Sequence, residues 1–441
     1  MPDLNDELRR LADEAARQAR PLTVADVIRQ GDRRRRRGIT FWALRRARTP
    51  GPGTQAKPGR RWPGRVAPLA AAAAVIAVVA GTAAVSGVIH GRRPAGGASL
   101  AHRFIAYVGN AGSGTVTPIR TATNKALPPI KAGSGPDALA ITPDGKTVYV
   151  ANYDYHHGTV TPIRTATNTA LPAIKTGHTP AALVITPDGK TVYVANFDSG
   201  TVTPIRTATN KALPPITTGS HPVEIAITPD GKTVYVTNNG SGTVTPIRTA
   251  TNKALPPITT GSHPDAIAIT PDGKTVYVAN LESGTVTPIR TATNTALPPI
   301  TTGSAVEIAI TPDGKTAYVG NGSGDSGTVI PIRTATNKAL PPITTGYPNA
   351  IAITPDGKTA YVASGPSGAV IPIRTATNKA LAPITARGFQ PVAIAITPDG
   401  RTAYVASFLK NTVTPIRTAT NKALAPITTG GFQPVAIVIT P

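Results

Sequence analysis

The chain has 441 residues, no cysteine and a formal net charge of +23 at neutral pH. A sequence without thiols excludes disulfides, cysteine nucleophiles and cysteine-ligated zinc or haem sites. The excess of cations suggests anionic partners, but only if the positive charge is concentrated in one part of the chain.

The first 65 residues carry 17 Lys and Arg against 7 Asp and Glu, so this segment alone holds +10 of the net charge. Apolar residues at helical spacing from Leu4 onward predict two short helices, and five consecutive arginines, Arg33–Arg37, follow them. Such a run is typical of nucleic-acid binding, but it also fits a positive-inside signal that lies on anionic headgroups. We favour the topology signal, because an uncharged segment follows, and we expect no nucleic-acid partner.

Residues 66–89 contain no charged side chain. As a helix they would span about 36 Å, enough for a hydrocarbon core of about 30 Å. The basic N-terminal flank predicts a retained signal-anchor with the N-terminus in the cytoplasm. We therefore expect a cytoplasmic stub at 1–65, a transmembrane helix at 66–89, a linker at 90–103 and an exported domain at 104–441. This organisation predicts a single-pass protein of the plasma membrane.

From Ile105 onward the chain repeats one unit eight times. The I-T-P-D-G turn of the unit places a proline at Pro143 and then every 41 to 44 residues up to Pro398. Each unit contains four short strands, I-A-I-T, T-V-Y-V, T-V-T-P-I-R and A-L-P-P-I-T, which turn residues separate. A period of this length with four strands predicts a β-propeller, whose blades are stable only when they close into a ring.

The prolines and the chain ends predict the phase and the closure of the ring. Pairs such as Pro214-Pro215 place the fourth strand at the outer edge of each blade, and the alanine-containing first strand then lines the channel. At Pro118 and its equivalents in the third strand we expect a bulge or a local break. The array begins with a second-type strand at Ile105 and ends with a first-type strand at 436–440. The sequence therefore predicts an all-β, eight-bladed propeller closed by its C-terminal strand, with seven blades as the alternative.

The second strand and its flanking turns carry a resemblance to a known family. Tyr235–Asn238 reads Y-V-T-N, and 149–152, 193–196 and 277–280 read Y-V-A-N. With P-D-G-K, S-G-T-V and T-A-T-N around them, these motifs resemble the YVTN-repeat family of bacterial surface β-propellers over the whole repeat region. The resemblance implies a propeller on an exported or surface protein, and it implies little defined chemistry. This chain departs from the family by reading P-I-R-T in place of V-I-D-T, so any role of that acid in the following turn is open.

Sorting the turns by face predicts two unlike rims. Alternate turns of an up-and-down blade lie on opposite sides, so P-D-G-K shares a rim with T-A-T-N-K. We call this side the basic rim, because an arginine ends each third strand there and Lys residues follow. The arginines are Arg120, Arg164, Arg206, Arg248, Arg290, Arg333, Arg374 and Arg417. We expect this rim to face anionic lipid or wall polymer; the alternative is that its cations only keep the disc soluble.

The opposite rim, which we call the variable rim, holds the loops that differ between copies. Exposed aromatic, imidazole and acidic groups on rigid loops are typical contact residues, so we expect an envelope protein or polysaccharide to bind here. The candidates are Asp154, Tyr155, His157, His178, Phe197, Asp198, His221, His263, Glu282, Tyr347, Phe389, Phe408 and Phe432. The alternative is that these residues are loop variation or aromatic plugs between blades. We expect no shared metal site of the three loop histidines, because equivalent loops of neighbouring blades lie too far apart.

Catalytic motifs are few in the repeat region. Seven acids belong to D-G turns, which leaves Asp137, Glu224, Asp265 and Glu307 as the carboxylates of the channel. Lactonase-like propellers use several acidic or amide metal ligands that converge on the channel, whereas one side of this ring offers Val392 instead. No Ser-His-Asp context or phosphate loop is present. We therefore expect a non-catalytic binding or scaffolding propeller without a cofactor or metal; the alternative is a metal-dependent hydrolase or lactonase that uses the channel mouth.

Overall fold

The computed structural model describes residues 104–154, 157–323, 326–365, 367–386 and 390–441. These residues form eight antiparallel sheets, and the first strands of successive sheets contact one another around a closed ring. The prediction of an eight-bladed β-propeller is therefore confirmed, and the seven-bladed alternative is wrong. We number the blades 1 to 8 by the chain order of their second strands.

Each blade has the same inner half. The first strand lines the channel and pairs with the second strand of its blade. The first strands of blades 1 to 8 are Pro434–Ile439, Pro136–Ile141, Pro180–Ile185, Pro222–Ile227, Pro264–Ile269, Ala305–Ile310, Pro348–Ile353 and Pro391–Ile396. The second strands are Ile105–Asn110, Thr147–Asn152, Thr191–Asn196, Thr233–Asn238, Thr275–Asn280, Thr316–Ser323, Thr359–Ser364 and Thr402–Ser407.

The outer half of each blade consists of a third strand and a fourth strand that is split into two pieces. The third strands are Thr115–Arg120, Thr159–Arg164, Thr201–Arg206, Thr243–Arg248, Thr285–Arg290, Ser326–Arg333, Ala369–Arg374 and Thr412–Arg417. The first fourth-strand pieces are Lys125–Ala126, Thr169–Ala170, Lys211–Ala212, Lys253–Ala254, Thr295–Ala296, Lys338–Ala339, Lys379–Ala380 and Lys422–Ala423. The second pieces are Ile130–Lys131, Ile174–Lys175, Ile216–Thr217, Ile258–Thr259, Ile300–Thr301, Ile343–Thr344, Ile384–Thr385 and Ile427–Thr428.

The interruption of the fourth strand explains how a proline fits inside the third. Tyr107 pairs with Pro118 in an unbroken register, so the bulge or break that we expected in the third strand is absent there. The Pro118 carbonyl accepts a hydrogen bond from the Leu127 amide at 2.8 Å, so the side of Pro118 without an N–H group also faces the fourth strand. The prolines at 128 and 129 interrupt the fourth strand at this point, so the missing N–H group of Pro118 lies where the ladder is already broken. The break thus lies one strand further out than predicted.

The C-terminal strand closes the ring. Pro434–Ile439 pairs antiparallel with Ile105–Asn110 and completes blade 1. The Thr440 amide donates to the Ile105 carbonyl at 3.0 Å, and the Ile105 amide donates to the Thr440 hydroxyl at 3.0 Å. The last strand also lies beside the first strands of blades 8 and 2, so no sheet edge faces a gap at the seam.

A ring of tyrosine–asparagine hydrogen bonds joins the blades. The buried tyrosine of each second strand donates to the Asn side chain of the T-A-T-N turn in the next blade, at 2.6 or 2.7 Å. The pairs are Tyr107–Asn168, Tyr149–Asn210, Tyr193–Asn252, Tyr235–Asn294, Tyr277–Asn337, Tyr318–Asn378, Tyr361–Asn421 and Tyr404–Asn124. Each of these asparagines has a positive φ, a conformation that Asn tolerates better than most residues. The Y of the second-strand motif and the N of the turn motif therefore recur because they bond to each other.

The core between blades is built from unlike faces. In blade 2 the small residues Ala138 and Ala140 lie with the Tyr149 ring against Leu183 and Val194 of blade 3. Equivalent clusters fill the other interfaces, so one small face and one large face meet at every joint. This complementarity lets identical wedges pack closely around the channel.

The prediction of a single-pass membrane protein is corrected. Within the part of the chain that the structure describes, no helix is long and apolar enough to cross a membrane. The stub, the transmembrane segment and the linker that we predicted at 1–103 lie outside the described residues. We therefore withdraw the plasma-membrane localisation.

Candidate functional site

Every first strand carries a β-bulge at its second residue, where the strand begins at the variable rim. In blade 2 Pro136 pairs with Asn152 and Ala138 pairs with Ala151, which leaves Asp137 as the extra residue. The bulged residues of blades 1 to 8 are Val435, Asp137, Ala181, Val223, Asp265, Val306, Asn349 and Val392. A bulge re-aims side chains and is common beside functional sites. The channel mouth at the variable rim is therefore the place where the blades differ in chemistry.

Four carboxylic acids lie at this mouth. Asp137 and Asp265 occupy the bulge of blades 2 and 5 and are partly accessible to solvent. Glu224 and Glu307 follow the bulge in blades 4 and 6 and are 1% and 0% exposed. The other six blades place alanine at the position of the two glutamates. We call these four residues the mouth carboxyls.

Burial and mutual repulsion hold protons on the mouth carboxyls. Burial raises the pKa of Glu224 well above its usual value, and the charges of Asp265 and Asp137 raise it further. Burial likewise raises the pKa of Glu307, and the charges of Glu224 and Asp265 add to the effect. For the two aspartates burial raises the pKa of Asp137 to about 7 and that of Asp265 to about 6. At neutral pH the mouth therefore holds ionised and protonated carboxyl groups side by side.

Few protein donors satisfy these oxygens. The Ile225 amide donates to Glu224 Oε1 at 3.3 Å, and Asn239 Nδ2 donates to Asp265 Oδ1 at 3.4 Å. Among the described residues no group donates a hydrogen bond to Glu224 Oε2 or to either oxygen of Glu307. The Ile351 amide favours the charged form of Glu307, but its geometry does not meet the criteria of a hydrogen bond. Buried polar atoms without partners destabilise a fold. The two glutamates therefore destabilise the fold, and the mouth carboxyls that a ligand can reach are Asp137 and Asp265.

Two further polar side chains lie at the mouth in blade 7. Burial raises the pKa of Tyr347 to about 12, and the charge of Asp265 contributes, so its phenol stays protonated near that carboxylate. The Tyr347 ring lies over Gly322, where a Cβ atom would collide with it. Asn349, at the bulge, donates from Nδ2 to the Pro391 carbonyl at 2.7 Å and so ties blade 7 to blade 8.

Valine occupies the bulge position in blades 1, 4, 6 and 8. In a ring of eight, blade 8 lies across the channel from blade 4, and blade 1 lies across from blade 5. Val392 and Val435 therefore stand opposite the blades of Glu224 and Asp265. The loops beside them carry the two large hydrophobic side chains that are exposed among the described residues, Leu409 at 58% and Phe432 at 64%.

The candidate residues of the variable-rim loops mostly pair with their neighbours. Phe197 stacks on His221 with ring centroids 4.6 Å apart. His263 Nδ1 lies 2.8 Å from Glu282 Oε2, and the Thr179 hydroxyl donates to Asp198.

The remaining loop candidates do not converge on one place. Asp154 accepts a hydrogen bond from the Thr179 amide through its carbonyl, and His157 and His178 are exposed. Phe408 is half-buried, and Tyr155 and Phe389 lie outside the described residues. Binding of an envelope component by these loops stays a prediction.

The two rims have the turn composition that the sequence predicted. On one side the Thr165 hydroxyl bonds the Gly145 carbonyl at 2.7 Å, which joins the T-A-T-N and P-D-G-K turns of a blade. On the other side the Ser199 hydroxyl accepts from the His178 amide at 2.7 Å, which joins the two kinds of variable loop. All eight arginines of the basic rim are exposed. Their contact with lipid or wall polymer stays a prediction.

A groove of about 320 Å³ between neighbouring P-D-G-K turns of the basic rim is an alternative site. Its carboxylates are already satisfied, since Asp144 accepts from the Thr142 hydroxyl at 2.6 Å and lies 3.2 Å from Lys146 Nζ. The Thr142 hydrogen bond is the main cause that lowers the pKa of Asp144. These acids build the turn, and the groove offers no free reactive group.

The described side chains do not form a metal centre. No group of three or more His, Cys, Asp or Glu residues among them could hold a metal ion.

Comparison with known proteins favours an enzyme. A family model described as "Lactonase, 7-bladed beta-propeller" matches residues 105–218 and 205–303. This match contradicts both the prediction of a non-catalytic binding module and the prediction that the chain is not an enzyme. It supports the lactonase named in the alternative that we kept. No curated protein sequence matches the chain.

Three solved structures illustrate the shared fold. Hydrazine synthase of Kuenenia stuttgartiensis is 24% identical, with a TM-score of 0.54, over 64% of this chain and 96% of that one. The dihydro-heme d1 dehydrogenase NirN is 15% identical, with a TM-score of 0.60, over 74% and 73%. A Bacteroides fragilis protein provisionally assigned as a 6-phosphogluconolactonase is 19% identical, with a TM-score of 0.53, over 78% and 100%. At these identities the similarity shows the fold alone. The repeat region thus matches the lactonase propeller family over residues 105–303, while its ring has eight blades rather than seven.

Proposed function

We propose that this protein hydrolyses lactones at the variable-rim mouth of its channel. The observation that carries the proposal is the group of mouth carboxyls, in which a proton acceptor and proton donors lie together in a buried setting. Three of the four, Asp137, Glu224 and Asp265, fall within the residues that the lactonase family model matches. Perturbed carboxyls in a channel mouth are what a site for acid–base chemistry requires.

Ring opening of a lactone needs a base that activates water. With a pKa of about 6, Asp265 is ionised at neutral pH, and solvent reaches its side chain. It takes one proton from a water molecule while the water oxygen bonds to the lactone carbonyl carbon. The Tyr347 phenol, which stays protonated beside it, is placed to donate a hydrogen bond to the developing oxyanion.

The collapse of the tetrahedral intermediate needs an acid. Glu224 and Glu307 keep their protons at neutral pH because both side chains are buried. Their burial keeps both from contact with a substrate, so Asp137, which solvent reaches and whose pKa is about 7, donates its proton to the ring oxygen as the bond from the carbonyl carbon to that oxygen breaks. The product is a hydroxy acid, and the proton that Asp265 took from water passes through solvent to Asp137, which restores both groups. The net reaction adds one water molecule to the lactone.

We also propose that the repeat unit is a variant of the YVTN repeat. The ring of Tyr–Asn bonds supports this proposal, because it gives a physical reason for both Y-V-x-N and T-A-T-N in one unit. The T-A-T-N turn keeps its geometry although arginine stands where the family has an acid. In the turn of blade 2, the Thr165 hydroxyl bonds the Gly145 carbonyl without help from that position.

The proposal is tested with the full chain and a panel of γ- and δ-lactones, by following acid release in a pH-stat. We expect hydrolysis above the buffer rate, and a loss of about 100-fold or more in kcat for Asp265→Asn, because general-base catalysis contributes that much. Asp313→Asn is the matched control, since Asp313 belongs to a P-D-G-K turn on the basic rim and should leave the rate unchanged. If no lactone opens faster than in buffer, or if Asp265→Asn retains the wild-type rate, the proposal is wrong.

A further inference from the structure

We propose that Asn239 is a positioning residue: it holds the carboxylate of Asp265 in place and makes Asp265, rather than Asp137, the base that activates water. This inference rests on the proposed function, and it explains why two aspartates in equivalent places take different roles. The observation that carries it is a pair of joints between blades that match closely and differ at one side chain.

The strands that hold the two aspartates are equivalent. Asp137 and Asp265 lie in first strands that read P-D-A-L-A-I and P-D-A-I-A-I. In each strand the aspartate is the extra residue of the bulge, and the proline before it pairs with the last asparagine of the second strand. Both side chains are half-buried. The strand and its bulge therefore do not distinguish the two carboxyls.

The loop of the preceding blade is also equivalent, except at one position. Blade 4 reads N-N-G-S-G around Asn239, and blade 1 reads N-A-G-S-G around Ala111. The Asn239 amide donates to the His221 carbonyl at 2.9 Å, and the Ala111 amide donates to its counterpart, the Gln433 carbonyl, at the same distance. The glycine that follows makes a further equivalent bond at 3.0 Å in both loops. Ala111 thus occupies in blade 1 the place that Asn239 occupies in blade 4.

The side chain at this place reaches the carboxyl of the next blade in one of the two joints. Asn239 Nδ2 donates to Asp265 Oδ1 at 3.4 Å across the joint of blades 4 and 5. Ala111 has no donor to offer Asp137 across the joint of blades 1 and 2. An amide that donates to a carboxylate favours its charged form and fixes its orientation. Burial raises the pKa of both residues, to about 6 for Asp265 and about 7 for Asp137, and the amide acts in the direction of this difference.

The titratable neighbours of the two aspartates do not favour a charge on Asp265. The groups whose pKa the charge of Asp265 raises are Glu224, Glu307 and Tyr347. The charge of Asp137 acts on Glu224 as well. At neutral pH all three groups are uncharged because their pKa values are raised. His263 Nδ1, on a loop of the same blade as Asp265, lies 2.8 Å from Glu282 Oε2 and is engaged there. The amide of the preceding loop is therefore the described group that favours an ionised Asp265.

The first test measures the two aspartates directly, without a substrate. The full chain is labelled with ¹³C at its aspartate carboxyls and titrated by NMR, and Asp265→Asn and Asp137→Asn assign the signals. In Asn239→Ala we expect the pKa of Asp265 to rise by about one pH unit, because the charged form loses a hydrogen bond. In Ala111→Asn the pKa of Asp137 should fall by a similar amount. The double variant Asn239→Ala/Ala111→Asn should exchange the order of the two values. Unchanged titrations in both single variants would overturn the inference.

The second test asks whether the same contact acts in the reaction. The wild type should show a bell-shaped dependence of kcat/KM on pH, with its acid limb set by Asp265 and its alkaline limb by Asp137. Asn239→Ala should move the acid limb to higher pH and lower kcat about tenfold, because the base is no longer held in place. A fall in kcat with both limbs unmoved would show that Asn239 only supports the fold.

Leu281→Ala is the matched control. Leu281 holds the same loop position in blade 5, and its amide donates to the His263 carbonyl at 2.8 Å, but the bulge of the next blade is Val306. This variant should leave both limbs in place, and thermal unfolding checks that every variant folds. The two possible failures are distinguishable. An active wild type whose limbs do not respond to Asn239→Ala rejects the role of Asn239 and leaves the proposed function standing, whereas a wild type that opens no lactone rejects the proposed function itself.

Discussion

Asp144 and Asp265 carry the same carboxyl group on opposite rims of one ring, and their surroundings shift its pKa in opposite directions. Asp144 accepts from the Thr142 hydroxyl and the Lys146 amide and lies beside the Lys146 ammonium, so its pKa is lowered, chiefly by the Thr142 bond. Asp265 has one long hydrogen bond from Asn239, and burial raises its pKa to about 6. The first carboxylate is engaged in the hydrogen bonds and the ion pair of a turn, whereas the second has one long hydrogen bond and can still accept a proton.

The repetition of the chain makes this comparison informative. Seven P-D-G turns contain the same aspartate, so the ring depends on it wherever the turn occurs. Six blades have alanine at the position of Glu224 and Glu307 and still pack into the ring, so the fold does not need those two acids. A residue that breaks the repeat and destabilises the fold points to function, because natural sequences violate local rules mainly at functional sites.

Opening the ring should abolish the mouth while leaving the turns intact. Removing residues 434–441 deletes the strand that carries the buried Ala436, Ile437 and Val438 and exposes the edge of Ile105–Asn110. We expect the free energy of unfolding to fall by about 5 kcal/mol, from the lost burial of these side chains. Thermal and urea unfolding measure the effect. Removing Pro441 alone is the control and should change little; an unchanged midpoint for the longer deletion would contradict closure by this strand.

The second change tests how much the two buried glutamates of the mouth destabilise the fold. In Glu224→Ala/Glu307→Ala both glutamates take the residue that six blades already have. We expect kcat to stay within about tenfold of the wild type, because neither buried glutamate contacts the substrate. The free energy of unfolding at pH 8 should rise by about 2 kcal/mol for each glutamate, because the fold no longer buries carboxyl oxygens that lack hydrogen-bond partners.

The pH dependence of this gain has a definite sign. Both glutamates have a folded pKa above the usual 4.5, so the folded wild type binds more protons than the unfolded chain. Its stability therefore falls as the pH rises from about 4.5 toward the folded pKa values. The variant lacks this fall, so the gap between the two proteins should widen with increasing pH. A gap that is constant or that narrows would show that the glutamates are satisfied in the fold.

The smallest effect is expected on the basic rim. Asp144→Asn removes a charged acceptor from one of seven equivalent turns, and we expect a loss of about 1 kcal/mol at pH 7 without a change in kcat. Because the folded pKa of Asp144 is lowered, the difference should vanish as the pH falls through that value. Urea unfolding at neutral and acid pH measures it. A loss of activity in this variant would mean that the two rims are coupled.

Periodicity alone predicted the eight blades, the closing strand and the side on which each turn lies. It could not predict the bulge at Asp137 and its equivalents, because a bulge depends on the pairing register between two strands and leaves the spacing of the motifs unchanged. For the same reason the break opposite Pro118 was expected in the wrong strand.

The mouth carboxyls were visible in the sequence but were judged too few for catalysis. Their reactivity comes from burial and from charges on other blades: Asp137 lies more than 80 positions from Glu224, which in turn lies more than 80 from Glu307. The sequence of a single repeat does not show which residues of different blades lie close together in the ring. The useful signal was glutamate in two copies at a strand position where the other six copies have alanine.

The Tyr–Asn ring has a consequence for where the circle can be cut. The bond from Tyr404 to Asn124 across the seam has the same atoms and length as the bonds at most other joints, so chemistry does not mark the seam. Any P-D-G-K hairpin could therefore serve as the break in a circularly permuted chain whose residues 104 and 441 are linked. The position of the chain ends along the ring therefore does not determine which blades pack against each other.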